Sequence, residues 1–523
     1  MAKKFNITGT CYPEKHYMVD ISERLSQIES LVEDGEYITI NRGRQYGKTT
    51  TLYHLAKRLS DNYLVFSISF EVLTKNHFKS EEALAYSFLE RFQMTFMFSD
   101  PNNLNDSVKN TITEKITAHS DKKEIAVEEF DLFISILCAK SSKPVVLIID
   151  EVDNASSYDS FINLLRLLRN KYLNRETIPT FQSVILAGVY DIKNLKIKVR
   201  PDADHQYNSP WNISIPFKSD MSFSKTQIAQ MLSDYENDRK TGMNIDEISS
   251  LIEDYTSGYP FLTSKLCKLI DEENLGWDKE GVIQAVKILL DEKNTFFDDI
   301  AKKLTDFAQM KTLLKSMLYN GYEESFNIYY KHIEIAAMFN YIKNVNGKVR
   351  ISNRIIETWL YNLFMTEEQI DSILYDQGSI EKSQFVENGI LKMDKILERF
   401  AFHFNEIYGQ QPEKFREEEG RRFFMLYVRP IINGTGNYYI EAQTRDRSRT
   451  DMIIDYLGKQ YIIEMKIWRG DSYNERGEKQ LFEYLDYYRI NKGYMLSFCF
   501  NKNKVPGVNT IKIGDKEIFE VLV

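Results

Sequence analysis

Cysteine and histidine are scarce in this chain. Its 523 residues include four cysteines (Cys11, Cys138, Cys267 and Cys499) and seven histidines. The cysteines are far apart, and none has C-x-x-C spacing. That argues against both a disulfide framework and a structural zinc site. The unpaired histidines argue against a zinc enzyme. No run of 18 apolar residues occurs, so no membrane-spanning helix is expected. The opening Met1-Ala-Lys-Lys-Phe-Asn6 lacks the apolar core of a signal peptide, and a cytoplasmic location is expected. Positive charge is not in excess either. A net charge of −9 gives no general attraction to nucleic acid, so any DNA contact must be local. Internal repeats, low-complexity tracts and the helicase motifs of a DNA-translocating motor are missing as well. A hydrophobic fraction of 43% is ample for sizeable cores, and the length suggests about three domains.

The segment Asn41-Arg-Gly-Arg-Gln-Tyr-Gly-Lys-Thr-Thr50 is the most informative one present. It follows a strand-like run, Tyr37–Ile40, and opens into Thr51–Leu59, whose apolar residues have helical spacing. Strand, loop ending in Gly-Lys-Thr, then helix is the layout of a nucleotide phosphate cradle. Loop amides and the helix N-terminus face the phosphates. Lys48 is expected against the β/γ-phosphates, with the Thr49 hydroxyl on Mg²⁺. The usual G-x-x-x-x-G-K-[ST] spacing requires glycine at position 42, which is Arg42; the available glycine is Gly43. Gly43, Arg44, Gly47, Lys48, Thr49 and Thr50, with Asp150, form the expected nucleotide-binding set.

Asp150 ends a second signal, Lys143-Pro-Val-Val-Leu-Ile-Ile-Asp-Glu-Val-Asp153. A continuous apolar run suits a central parallel strand covered on both faces. Asp150 is expected at Mg²⁺ through water, and Glu151 is expected to polarise the attacking water. Asp153 reads as a helix cap or a solvent-facing acid. Ser183–Gly188 is a further strand. In ATPases of the AAA/STAND kind a polar residue at the end of such a strand senses the γ-phosphate, and that resemblance would give Asp191 or Tyr190 the role; a plain strand and loop explain these residues at least as well. Tyr63–Ser69 has the alternation expected of a strand beside the first.

Arg42-Gly-Arg-Gln-Tyr-Gly-Lys-Thr49 resembles the R-P-R-R-F-G-K-[ST] loop of the bacterial AAA-ATPase-like family, relatives of archaeal STAND-type ATPases. That loop also lacks the leading glycine. Here Gly43 replaces its proline and Gln45 one of its arginines. Tyr17-Met-Val-Asp20 with Arg24 is similar to the base-holding strand and helix start of such ATPases. Ser257-Gly-Tyr-Pro-Phe-Leu262 resembles the G-[HY]-P motif of their helical lid, and a simple helix interruption explains it equally well. The resemblance implies an α/β P-loop NTPase with a parallel sheet, a helical lid and ATP with Mg²⁺ as cofactors. From about Met221 the chain reads as helices, with Ser224 or Asp246 as caps. Strands near Phe339–Ile342 and Lys348–Ser352 flank an Asn346-Gly347 turn. Helices followed by a hairpin suggest a winged helix, which either touches DNA or packs on the ATPase; the acidic chain favours packing.

Met365 to Glu381 reads as an interdomain connection, followed by a long amphipathic helix, roughly Lys382 to Tyr408. Three strands are then expected: Tyr438–Gln443, Arg449–Tyr456 and Gln460–Lys466. Asp451 with Glu464 and Lys466 on the adjacent strand can hold Mg²⁺ against a scissile phosphate, the lysine orienting water. Glu464 and Lys466 share one face of their strand. A helix from Glu475 to Tyr488 sets Gln480 and Tyr484 four apart on one side. This constellation resembles the PD-(D/E)xK nuclease superfamily, a restriction-endonuclease-like α/β domain, over about Phe415 to Phe500. The resemblance implies catalytic roles for Asp451, Glu464, Lys466 and Gln480. It also implies a metal-binding acid on the preceding helix, for which Glu419 is chosen over Glu417 and Glu418. A cross-strand salt bridge on a solvated face is the bland account of the same residues. Arg445, Arg447 and Arg449 are placed to contact a phosphate backbone. The expected domains are a P-loop ATPase-like domain (1–220), a helical lid and winged-helix-like region (221–365), a helical connection (366–410) and a nuclease-like domain (411–523). The expected function is an ATPase whose nucleotide state gates Mg²⁺-dependent cutting of DNA. The alternative is a STAND-type switch whose C-terminal domain binds nucleic acid or protein without cutting.

Overall fold

The structure, a computed structural model, describes residues 3–98, 106–189, 211–320, 324–369, 372–408, 415, 417–432, 435–443, 449–468, 471–500 and 507–523. It divides into two compact units. The first is Met1–Lys240 with Tyr259–Lys268 and Met338–Asn340; the second is Thr241–Gly258, Leu269–Ala337 and Tyr341–Val523. Among the described residues no helix is long and apolar enough to cross a membrane.

The first unit opens with β1 (Lys4–Phe5) and β2 (His16–Tyr17), a short parallel pair, and α1 (Ser22–Glu33). A parallel sheet follows, built from β3 (Ile38–Asn41), β4 (Leu64–Ser69), β5 (Val145–Asp150), β6 (Ser183–Gly188) and β7 (Ile215–Pro216) in the order β4-β5-β6-β3-β7. Every residue of β5 and β6 is buried, as strands covered on both faces require. The helices are α2 (Lys48–Leu59), α3 (Glu81–Phe98), α4 (Asp106–Ala118), α5 (Val127–Lys140), α6 (Asp159–Leu173) and, past the sheet, α7 (Lys225–Arg239). The core between the sheet and α3, α5 and α6 is aromatic: the Phe66 and Phe92 rings meet at a tilt with centroids 4.2 Å apart, and Phe70, Phe88 and Phe130 are fully buried.

One expectation about this sheet fails. Tyr63–Ser69 does form a strand, but β4 lies at the sheet edge against β5, not beside β3. β6 takes the place next to β3, so the loop after β3 and the acids after β5 flank the end of β6. Chain adjacency favours pairing of successive strands only statistically, and here two later strands pair between them.

In the second unit the helices are α8 (Ile245–Thr256), the end of α9 (Pro260–Glu272), α10 (Lys279–Asp291), α11 (Thr295–Asp306), α12 (Ala308–Asn320) and most of α13 (Lys331–Met338). Ser224 caps α7 with a full capping box to Gln227, whereas α8 is capped by Asn244 and not by Asp246. The hairpin β8 (Ile342–Val345)–β9 (Lys348–Ile351) starts three residues later than the sequence suggests. Its turn is Asn346-Gly347, both at positive φ as a two-residue hairpin demands.

The expected connection is a packed part of this unit. α14 (Arg354–Glu368) runs through Met365, and α15 (Ile373–Glu381) lies on α17 (Glu417–Ile432) so closely that a Cβ on Gly378 would sit 2.1 Å from the Tyr427 carbonyl oxygen. The long helix does not begin at Lys382. A short hairpin, β10 (Val386–Glu387) and β11 (Ile390–Leu391), turns at Asn388-Gly389, both at positive φ, and α16 (Met393–Tyr408) starts after it. The Asn-Gly signal was legible and overrides the amphipathic spacing around it.

The C-terminal sheet has six strands: β12 (Gly436–Gln443), β13 (Arg449–Tyr456), β14 (Lys459–Ile467), β15 (Lys492–Phe498), β16 (Gly507–Ile513) and β17 (Lys516–Leu522), ordered β12-β13-β14-β15-β17-β16. β12, β13 and β14 are antiparallel neighbours, and the crossover through α18 (Asp471–Tyr487) makes β15 parallel to β14.

Candidate functional site

The loop after β3 is held by backbone geometry. Gln45 and Gly47 have φ of 56° and 79°, and Gly47 caps α2, which begins at Lys48. Lys48 is 5% exposed, and its Nζ donates to the carbonyls of Arg42 and Gly43, both at 3.0 Å. These two loop oxygens stand where phosphate oxygens would take the same donors. Burial pulls the Lys48 ammonium down, and the charges of Glu151, Asp150 and Asp153 work against that shift. Thr49 Oγ1 donates to Asp150 Oδ2 at 2.8 Å, which joins the two expected metal-side groups directly. Asp150 is buried at the end of β5 and also accepts the Glu151 N–H at 2.9 Å. Glu151 adopts a left-handed backbone, φ 56°, a strained conformation for a non-glycine residue. Its carboxyl is pushed up by burial, with Lys48 opposing and Asp150 and Asp153 adding.

Arg42 explains how the loop does without its leading glycine. Its guanidinium turns out of the loop and donates to the carbonyls of Asn41, Phe217 and Ser219, at 2.8, 3.2 and 2.7 Å. Arg24 adds a bond to the Met221 carbonyl at 3.0 Å, and the Tyr46 hydroxyl meets the Ser222 hydroxyl at 2.7 Å. The strap from 217 to 222, which leads from β7 to α7, is thus bound to the loop by Arg42 and Tyr46 and to α1 by Arg24. Gly43 is needed for space, since a Cβ there would lie 3.1 Å from the Phe339 carbonyl oxygen.

The Ser257–Leu262 motif does interrupt the helices: Ser257 and Gly258 have positive φ, and α9 starts at Pro260. It also reaches the loop. Tyr259 donates its hydroxyl to the Arg44 carbonyl at 2.6 Å and packs edge-on against Tyr46 with centroids 4.6 Å apart. Arg44 itself is exposed. The Thr50 hydroxyl oxygen is engaged by the Cys11 N–H at 3.2 Å, which ties α2 to the N-terminal segment. Asp153 is neither a helix cap nor solvent-facing. Its Oδ2 accepts the Val189 N–H at 2.5 Å just past β6, and Gly188 is the residue whose missing Cβ makes room for it. Tyr190 and Asp191 lie outside the described residues. Sequence reading missed the Arg42 strap and the Tyr259 contact. An arginine in a glycine position was the available signal for the first; the second joins residues 215 positions apart and had none.

In the second unit β14 sets Glu464 and Lys466 on one face, with Lys466 Nζ 2.8 Å from Glu464 Oε1. Glu464 is fully buried. Gly477 of α18 passes the stem of Lys466, where a Cβ would meet its Cγ at 3.4 Å. Gln480 Nε2 donates to the Tyr484 hydroxyl at 2.7 Å, as four-residue helical spacing predicts, and Tyr484 is fully buried. The β13–β14 ladder pairs Met452 with Ile463, and continuing that register by one residue brings Asp451 opposite Glu464. The side chain of Asp451 lies outside the described residues, as do Arg445 and Arg447; Arg449 is described as backbone at the start of β13. On α17 it is Glu417 that accepts the Ile467 N–H at the end of β14, at 3.0 Å, while Glu419 is half-buried. Among the described residues no group of three or more His, Cys, Asp or Glu side chains could hold a metal ion.

A comparison with curated proteins finds no match. Among solved structures, a Walker-type ATPase of Pyrococcus abyssi aligns at 15% identity and TM-score 0.47, over 68% of this chain and 99% of that one. The RuvB Holliday junction branch migration motor of Thermotoga maritima aligns at 12% identity and TM-score 0.31, over 64% and 92%. The ORC1 protein of Aeropyrum pernix, in complex with DNA, aligns at 13% identity and TM-score 0.30, over 67% and 94%. No conclusion is drawn from likenesses this distant. A sequence-family profile described as an AAA-like domain matches residues 11–324, more than half of the 523 residues, and that match spans β3, Lys48, Asp150, Glu151 and Tyr259. The chain belongs to the AAA-like domain family.

Proposed function

We propose that the first unit binds and hydrolyses ATP with Mg²⁺, and that its nucleotide state gates a Mg²⁺-dependent nuclease-like domain acting on DNA. The observation that carries the ATP reading is the assembly of Lys48, Thr49, Asp150 and Glu151. A buried ammonium occupied only by its own loop carbonyls fits a phosphate, and a hydroxyl paired with a buried carboxylate fits a metal ion. The metal would neutralise charge on the phosphates. Gly43, Arg44, Gly47 and Thr50 supply the loop and helix-start amides, Lys48 the direct cation, Thr49 and Asp150 the metal side. Glu151 orients and polarises water. The Arg42 strap ties the loop to the segment leading into α7, and Tyr259 ties it to the start of α9.

For the second unit the supporting observation is the register, which brings Asp451 opposite Glu464, together with Lys466 on the same face as Glu464. Asp451 and Glu464 would hold the metal, with an acid from α17, Glu419 or the strand-bound Glu417, as a further ligand. Lys466 and Gln480 would orient water and stabilise developing charge. Complete burial of Glu464 favours a second reading, a STAND-type switch whose C-terminal domain binds nucleic acid or protein without cutting. One assay separates the two: cleavage of varied DNA and RNA with Mg²⁺ or Mn²⁺, with and without ATP. Cutting by wild type that is abolished in both Asp451→Ala and Lys466→Ala, with ATP binding unchanged, is the expected result. If wild type cuts nothing under these conditions, the switch reading stands. If Asp451→Ala cuts as well as wild type, the site is misassigned.

A further inference from the structure

The second unit holds a cavity of about 430 Å³ at the other end of β14 from Glu464, a volume in the range of small-molecule sites. One wall is a face of α10, with Lys279, Ile283, Gln284 and Lys287 at helical spacing. The opposite wall is the β13–β14 turn, with Asp455, Gly458 and Gln460, and Tyr488 and Ile490 close one end.

Its charged groups are spread along this wall and are not matched in contact pairs. Lys279 Nζ sits 4.8 Å from the Tyr488 ring centroid, and Lys287 Nζ donates to the Thr435 carbonyl at 3.0 Å. Neither makes an ion pair among the described residues, and Asp455 makes none either. Burial pulls the Lys279 ammonium down, and burial pushes the Asp455 carboxyl up. The Gly458 N–H and the charges of Lys287 and Lys279 hold Asp455 back, while Glu280 at the rim adds to its rise. Charges kept half out of water with only neutral contact partners are less favourable than the same charges met by a group of opposite sign. The two lysines are eight residues apart on one helix, ~12 Å along its axis. That is too far for one compact anion to be held squarely by both. Asp455 feels the charge of both, takes the Gly458 N–H, and has carboxylate lone pairs left for a ligand hydroxyl.

We infer that this cavity binds an elongated small molecule with a phosphate at each end and hydroxyls between, a sugar bisphosphate or nucleoside bisphosphate. One phosphate meets Lys279, the other meets Lys287, and the hydroxyls donate to Asp455. Ile283 and Ile490 supply apolar contact. The site is independent of both the ATP site and the Asp451–Glu464 pair.

The test is calorimetric titration of the full chain with four probes: fructose 1,6-bisphosphate, adenosine 3′,5′-bisphosphate, adenosine 5′-monophosphate and inorganic phosphate. It is run on wild type saturated with ATP and on Lys48→Ala, so that the loop after β3 does not report. The expected result is one-to-one binding of one of the bisphosphates, at least tenfold tighter than either single-phosphate probe. Which bisphosphate binds separates the sugar from the nucleoside source. Lys279→Gln and Lys287→Gln should each weaken it tenfold or more at unchanged melting temperature, and Lys279→Arg should restore most of it. No binding of either bisphosphate overturns the proposal. So does equal affinity for inorganic phosphate, or affinity unchanged in both glutamine variants.

Discussion

Lys48 concentrates the physics of the first site. It is a cation held in a buried loop by two carbonyls, so an arriving phosphate exchanges neutral acceptors for charged ones. Lys48→Ala should lower ATP affinity by about 30–160-fold, the worth of one charge-assisted hydrogen bond of about 2–3 kcal/mol. Calorimetry on the folded variant measures this, and equal affinity would remove the lysine from the site. In the proposed mechanism Glu151 acts on water and not on bound nucleotide, so Glu151→Gln should retain binding and lose about 10²–10⁴-fold in turnover. Because burial raises the Glu151 carboxyl, its base form is lost at a higher pH than for an ordinary carboxylate. The acid limb of the turnover profile should therefore lie above pH 4.5, the ordinary value, and vanish from the residual activity of Glu151→Gln. At this scale the sequence was largely legible. Lys48, Thr49, Asp150 and Glu151 stand out by residue type and by their spacing at strand ends, and the structure brings the four together. Asp153 was misread because its partner, the Val189 amide, arrives from another strand.

Elements were legible where a local rule acts alone. Ser224 with Gln227 three residues on reads as a capping box and is one; Asn346-Gly347 reads as a hairpin turn and is one. They were misread where packing overrides a local pattern, as at 366–392. There α15 crosses α17 at Gly378, and no periodicity signals a close approach of two backbones. Gly378→Ala should destabilise the second unit by about 1–3 kcal/mol, because the nearest atom is a backbone carbonyl that cannot swing aside. Urea unfolding measures this, and an unchanged midpoint would refute the contact. The same helix ends at Glu381, buried among Arg399, Tyr427 and His403. Its carboxylate accepts from Arg399 Nε at 3.1 Å and the Tyr427 hydroxyl at 2.6 Å, and His403 Nε2 lies 3.2 Å away. Burial alone would raise this carboxyl, but hydrogen bonds from Arg399, Tyr427 and His403 outweigh it and hold it at about 2. A depressed carboxyl contributes stability above its unfolded value and loses it as pH falls through the folded one. Glu381 should thus stabilise the second unit fully above about pH 4.5 and progressively less down to about pH 2. Denaturant titrations across that window should show the slope in wild type and a smaller one in Glu381→Gln.

For the whole chain, a ligand that binds only the folded first unit stabilises it by mass action, about 2.7 kcal/mol at a hundredfold excess over its dissociation constant. ATP at that concentration should therefore raise the melting temperature of wild type and raise that of Lys48→Ala much less, which a thermal scan reads directly. The sequence was enough to declare the AAA-like character, the strand runs of β3, β5 and β6, the C-terminal strands β13 and β14 and the Gly-Lys-Thr loop after β3. Each is written in local order: apolar runs, glycine-lysine-threonine spacing, alternation and turn pairs. It could not declare the strand order β4-β5-β6-β3-β7, the turning of Arg42 toward residues 217–219, the reach of Tyr259 to Arg44, or the lysines and Asp455 that share one cavity. Those depend on which distant segments pack together. Packing is settled by shape and burial summed over the entire core, a quantity that no single window of residues contains.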